Sequence, residues 1–83
     1  MYIPTSTKED SCEALSYFEN KDIVIHYKCH YCQDEQVTDE LTISEDMVEE
    51  FKNDDLKVNY DCTNCSVTTK YITEDNIIGV EVI

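Results

Sequence analysis

Apolar residues recur along this chain at two spacings, and the switches between them lay out its elements. Residues 22–28, DIVIHYK, set Ile23, Ile25 and Tyr27 against Val24, His26 and Lys28, the two-residue period of a half-buried strand. A polar turn, Gln33-Asp34-Glu35, then leads into QVTDELTI (36–43), read as the returning strand with Val37, Leu41 and Ile43 as its apolar members. LKVNYD (56–61) alternates again through Leu56, Val58 and Tyr60, SVTTKYIT (66–73) returns, and IIGVEVI (77–83) forms a last strand that Gly79 is expected to bend or bulge.

Two segments carry helical spacing instead. Ser44 is placed to cap a helix over 45–53, with Glu45 and Asp46 in the first turn, where the helix dipole favours carboxylates. Ile43 before the cap and Val48 beyond it have the spacing of a hydrophobic staple, and Met47, Val48 and Phe51 form the buried stripe. A second helix is expected over 8–19, capped by Thr7 or Ser6, with Cys12, Leu15 and Phe18 or Glu19 on its apolar side and Tyr17 beside them. Residues 1–7 read as an irregular lead-in. The pattern predicts one α+β domain over 1–83: an N-terminal helical extension (1–21), then an antiparallel core (22–83) with an inserted helix.

Charge narrows the function classes. Nineteen acidic residues face six basic ones, a formal net charge of −13, and all six basic residues are Lys. Arg is the side chain best fitted to forked contacts with phosphates and base edges. Its absence, and a field that repels polyanions, argue against direct binding of nucleic acid. No stretch reaches the ~20 apolar residues of a membrane span, and no signal-peptide pattern opens the chain. A cytoplasmic setting is therefore expected, where clustered cysteines more often bind metal than pair as disulfides.

The cysteines carry the sharpest signal. Cys29-x-x-Cys32 follows the first strand directly, Cys62-x-x-Cys65 follows LKVNYD, and 29 residues separate the two pairs. Two such turns at the tips of two hairpins offer four soft thiolates, a donor set suited to one tetrahedral Zn(II). With all four positions taken, no coordination site is left for a catalytic water. Four thiolates and one zinc ion would bring the net charge to about −15.

Over residues 22–82 the chain resembles a zinc ribbon: two Cys-x-x-Cys knuckles on β-hairpins and a further strand completing the sheet. The resemblance implies a fold and a metal, not an activity. The chain departs from nucleic-acid-binding ribbons in lacking their basic residues, and from the usual plan in the helix at 45–53. Iron in a rubredoxin-like site is the nearest rival. Rubredoxin knuckles carry Gly just after the second Cys, where this chain has Gln33 and Ser66. Two disulfides in an exported protein are the other alternative.

The remaining candidates read more plainly. His30, inside the first knuckle, is expected to point outward, His26 to be a partly exposed strand residue, and Cys12 a small core residue. There is no EF-hand loop for calcium, and no nucleophile–base pair or Gly-rich phosphate loop, so no enzymatic activity is expected. What stands out is acidic surface: Asp39, Glu40, Glu45, Asp46, Glu49, Glu50, Asp54 and Asp55 lie on or beside the second helix. Such carboxylates either keep the protein soluble or dock it on a basic partner. The second reading resembles in type small acidic phage inhibitors of host polymerases and nucleases. Its alternatives are a zinc-ribbon transcription accessory binding polymerase through tip residues His30, Tyr31, Thr63 and Asn64, and a rubredoxin-like electron carrier.

Overall fold

Ile23, Ile25 and Tyr27 point into the core from the central strand of the sheet, as their alternation predicts, and each is almost fully buried. The computed structural model describes all 83 residues. In chain order the elements are β1 (Tyr2–Pro4), α1 (Lys8–Tyr17), β2 (Asp22–Lys28), β3 (Glu35–Val37), β4 (Leu41–Thr42), α2 (Glu45–Lys52), β5 (Lys57–Asp61), β6 (Thr68–Tyr71) and β7 (Ile77–Val82). They form an α+β fold with two antiparallel sheets. The larger runs β1-β7-β2-β3, with β4 also paired to β2; β5 and β6 form a separate two-stranded ribbon. No helix is long and apolar enough to cross a membrane.

Both helices start as their caps dictate. The Thr7 hydroxyl accepts from the backbone N–H of Asp10 at 3.1 Å, and that of Ser44 from Met47 at 3.3 Å. The staple around α2 is formed, with Ile43, Val48 and Phe51 all in the core. On α1 the buried stripe differs from the expected one. Ser11, Ala14, Leu15 and Phe18 are buried, Cys12 is half-buried and Tyr17 lies 65% exposed. Ser11 can be buried because its hydroxyl donates to the Thr7 carbonyl at 2.9 Å, leaving no orphan polar group. Ala14, Leu15 and Phe18 share one hydrophobic cluster with Ile23, Phe51, Leu56, Ile72 and Val80, so α1 is built into the same core as the rest of the chain.

Three expectations need correction. Residues 1–7 are not wholly irregular: Tyr2–Pro4 pairs antiparallel with β7. Pro4 is tolerated because β1 is an edge strand and needs no N–H there. The returning strand 36–43 is broken into β3 and β4. At the break Thr38 mends the ladder with its side chain: its Oγ1 accepts from the Ile25 N–H at 3.0 Å and its own N–H donates to the Ile25 carbonyl at 3.0 Å. Asp39 and Glu40 are thereby free to turn out to solvent. Val37, expected as one of the apolar members of that single strand, is 51% exposed on the opposite face.

Gly79 serves close packing more than bending. The register skips one residue of β7, Ile78, between the pairs His26–Gly79 and Tyr27–Ile77, so a bulge lies beside the glycine. A Cβ at Gly79 would collide with the Tyr2 ring, which covers it. That ring meets His26 edge-on at 4.9 Å, and His26 in turn pairs with Glu81 at 3.0 Å on the outer face of the sheet.

Candidate metal centre

Each cysteine pair sits where a strand runs out into a tight turn, and the two turns share one backbone plan. In the first, the Gln33 N–H donates to the Cys29 carbonyl at 3.0 Å and the Cys29 N–H to the Asp34 carbonyl at 2.9 Å. In the second, Ser66 N–H to Cys62 carbonyl and Cys62 N–H to Val67 carbonyl repeat the pattern at 3.0 and 3.1 Å. Gln33 (φ 65°) and Ser66 (φ 63°), each just after its second cysteine, both adopt left-handed backbone. Glycine takes that conformation most readily, and a residue with a Cβ adopts it at a cost of roughly 1–2 kcal/mol. The missing glycines therefore do not mark a different turn.

The four sulfurs converge. All four Sγ atoms lie within 4.8 Å of one another, with Cys29–Cys65 at 3.5 Å and Cys32–Cys62 at 3.6 Å, both across the two knuckles. Zinc–sulfur bonds of about 2.3 Å would put the corners of a regular tetrahedron roughly 3.8 Å apart, so the cluster has the dimensions for one ion. All five cysteines of the chain are free thiols. Cys29 and Cys62 are buried and Cys32 and Cys65 half-buried, an enclosed arrangement with each knuckle contributing one of each.

The surroundings of the sulfurs shift two of the four thiols in opposite directions. Backbone N–H groups of Cys32 and Tyr31 point at the Cys29 sulfur and, with further help from Cys65 and Cys32, bring its thiol down to about 6. The backbone N–H of Val67 pulls Cys65 the same way, but burial and the neighbouring thiols of Cys29, Cys32 and Cys62 outweigh it and push Cys65 up to about 12. A further backbone donor, the Asn64 N–H, lies 3.4 Å from the Cys62 sulfur. The protein thus favours the thiolate at Cys29 and the thiol at Cys65.

Gln36, which the sequence pattern marked only as a strand residue, braces the two knuckles. Its Oε1 on β3 accepts from the Thr63 hydroxyl at 3.1 Å and from the Thr63 N–H at 3.5 Å. No spacing rule would have singled it out, because the contact depends on how the hairpins cross. His30 and Tyr31 at the first tip are exposed, Tyr31 by 75%, and neither belongs to the cluster. Cys12 also lies outside it, half-buried on α1, its thiol pushed up by burial against the pull of Lys52 and Lys8.

The eight acidic residues form no such cluster. Glu45, Asp46, Glu49 and Glu50 are exposed on α2, Asp39 and Glu40 on the β3–β4 connection, and Asp54 and Asp55 after α2. Asp54 is engaged already: Lys8 pairs with it at 3.0 Å and also donates to the Lys52 carbonyl at the end of α2 at 3.1 Å. That hydrogen bond to Asp54 holds Lys8 above the usual lysine range, with burial opposing it. Comparison with protein-family models, curated proteins and solved structures finds no match to this chain.

Proposed function

We propose that the chain is a zinc-stabilised, acidic protein-binding module that docks on a basic, nucleic-acid-binding protein such as a host RNA polymerase or nuclease. The observation that carries the first half is the convergence of four thiols from two matching knuckles onto one point. Four soft donors in an enclosed tetrahedral set suit Zn(II), whose role there is to hold two hairpins together. Chemistry is then left to the surface, and that surface is acidic: the chain carries −13 and α2 presents Glu45, Asp46, Glu49 and Glu50 outward together.

Carboxylates one helical turn apart, Glu45 with Glu49 and Asp46 with Glu50, give a line of negative charge that can stand in for part of a phosphate backbone. Docking of this kind is steered at long range and weakens as salt rises. The test is competition. The protein should displace duplex DNA from bacterial RNA polymerase, less effectively at higher salt, and Glu45→Gln, Glu49→Gln, Glu50→Gln combined should slow association. Binding indifferent to ionic strength, or no displacement, sinks this reading.

A second reading has one observation in its favour. Tyr31 is 75% exposed at the first knuckle tip, beside exposed His30, and Thr63 and Asn64 are exposed at the second. A transcription accessory would use these residues. Tyr31→Ala would then abolish polymerase binding while the α2 substitutions left it intact.

A further inference from the structure

Away from the cysteines and from α2, a groove of about 400 Å³ opens between β1 and α1. Its apolar lining comes from Met1, Ile3 and Pro4 at the strand and from Ala14 and Tyr17 on the helix, and Asp10 and Glu13 add exposed carboxylates. No lysine lines it. Nor is its aromatic wall packed away, since Tyr17 is 65% exposed while Phe18, edge-on to it at 5.1 Å, is buried. A volume of this size is that of a small binding cleft.

The strand beside the groove has an open edge. Met1 accepts from the Val82 N–H and Thr5 donates to the Ile78 carbonyl, so the odd-numbered residues of this segment face β7. By the alternation of an antiparallel ladder, the backbone groups of Tyr2 and the carbonyl of Pro4 turn the other way, to the unpaired side. Pro4 brings no N–H, which discourages indiscriminate strand pairing. What remains is a short stretch of main-chain partners, an apolar slot and two carboxylates.

We propose that this groove docks an extended, cationic segment of a partner protein, one apolar side chain entering the slot with lysine or arginine on either side. Charge complementarity selects the occupant: the slot is apolar, the carboxylates of Asp10 and Glu13 outnumber the one amino group there, that of Met1, and the whole chain is strongly negative. An acidic or neutral segment would meet repulsion or forgo the rim. This occupant rests on the reading of the chain as a module for basic proteins; the groove adds where such a protein inserts its chain.

The test uses the full, zinc-loaded chain and a defined probe: an acetylated, amidated pentapeptide with leucine between two lysine pairs. Backbone amide shifts are followed by NMR at low salt. Saturable shifts centred on Ile3, Ala14 and Tyr17 are expected. Asp10→Asn combined with Glu13→Gln should weaken binding about 10-fold. Tyr17→Ala, at an exposed position that leaves the core intact, should weaken it as well, and replacing the leucine of the probe by glycine should do the same. Three results overturn the assignment: no saturable shift, equal binding of the glycine probe, or shifts confined to Glu45, Glu49 and Glu50 on α2. The last would still leave the acidic module standing, whereas that reading fails separately if polymerase competition is absent or ignores salt.

Discussion

Removing the metal from the four-cysteine centre is expected to unfold the chain rather than loosen one end of it. The β5–β6 ribbon is paired to no other strand, and an isolated two-stranded ribbon is marginal in water. It is tied to the rest through the four sulfurs, through the Gln36–Thr63 bonds and through Leu56 and Ile72, which lie in the common core. Freeing the ribbon therefore pulls two apolar side chains out of that core. For 83 residues, stability of roughly 0.05–0.15 kcal/mol per residue amounts to about 4–12 kcal/mol. Zinc held by such ligand sets contributes roughly 10–16 kcal/mol near neutral pH. The ranges overlap, so the metal-free chain retains about no net stability. Circular dichroism melting with and without a strong zinc chelator, under reducing conditions, reads this directly. The cooperative transition should vanish on chelation and return with one equivalent of zinc, and Cys62→Ser should behave like the chelated protein. A chelated sample that melts at the same temperature would refute the reasoning.

Other outcomes follow from single contacts. Gln33→Gly and Ser66→Gly each relieve a left-handed residue at roughly 1–2 kcal/mol and give back roughly 0.5–1 in unfolded-chain entropy; urea melts of the zinc-loaded protein should show a gain of about 0.5–1 kcal/mol apiece. Thr38→Val removes the acceptor for the Ile25 N–H and should cost about 1–3 kcal/mol by the same melts. Ser44→Ala, which uncaps α2, should cost about 1 kcal/mol. Zinc uptake should also depend on pH. At pH 7 Cys29, at about 6, is mostly ionised and gives up little proton, while Cys65, at about 12, must release one. Below about pH 6 Cys29 is protonated as well, so affinity should fall more steeply there. Calorimetry in buffers of different ionisation enthalpy counts the protons released.

Much of the site was legible because its signal is chemical and local. Two identical cysteine spacings, each at the end of an alternating run, place Cys29, Cys32, Cys62 and Cys65 on hairpin tips, and the structure brings their sulfurs together. The strands β2, β5 and β7 and the capped helix α2 were legible for the same reason, since period and cap are written in neighbouring residues. What escaped was decided by distant partners. Tyr2–Pro4 becomes a strand only because β7 is there to pair with it, against the discouraging presence of Pro4. The break at Thr38 depends on a hydroxyl reaching Ile25 across the sheet. Asn59 likewise takes left-handed backbone (φ 67°) where the β5–β6 register slips, an irregularity hidden in an alternating run. The acidic residues were visible at once, but charge alone does not say which of them a partner meets. Asp54, already held by Lys8, is the least free of the eight.

The central claim is one zinc ion held by four sulfurs, and X-ray absorption on the purified protein tests it most directly, with elemental analysis of the same sample. The account predicts one zinc per chain, surrounded by four sulfur scatterers at about 2.3 Å. A sample without metal, one carrying iron instead, or a zinc shell with nitrogen in place of one of the four sulfurs would contradict it.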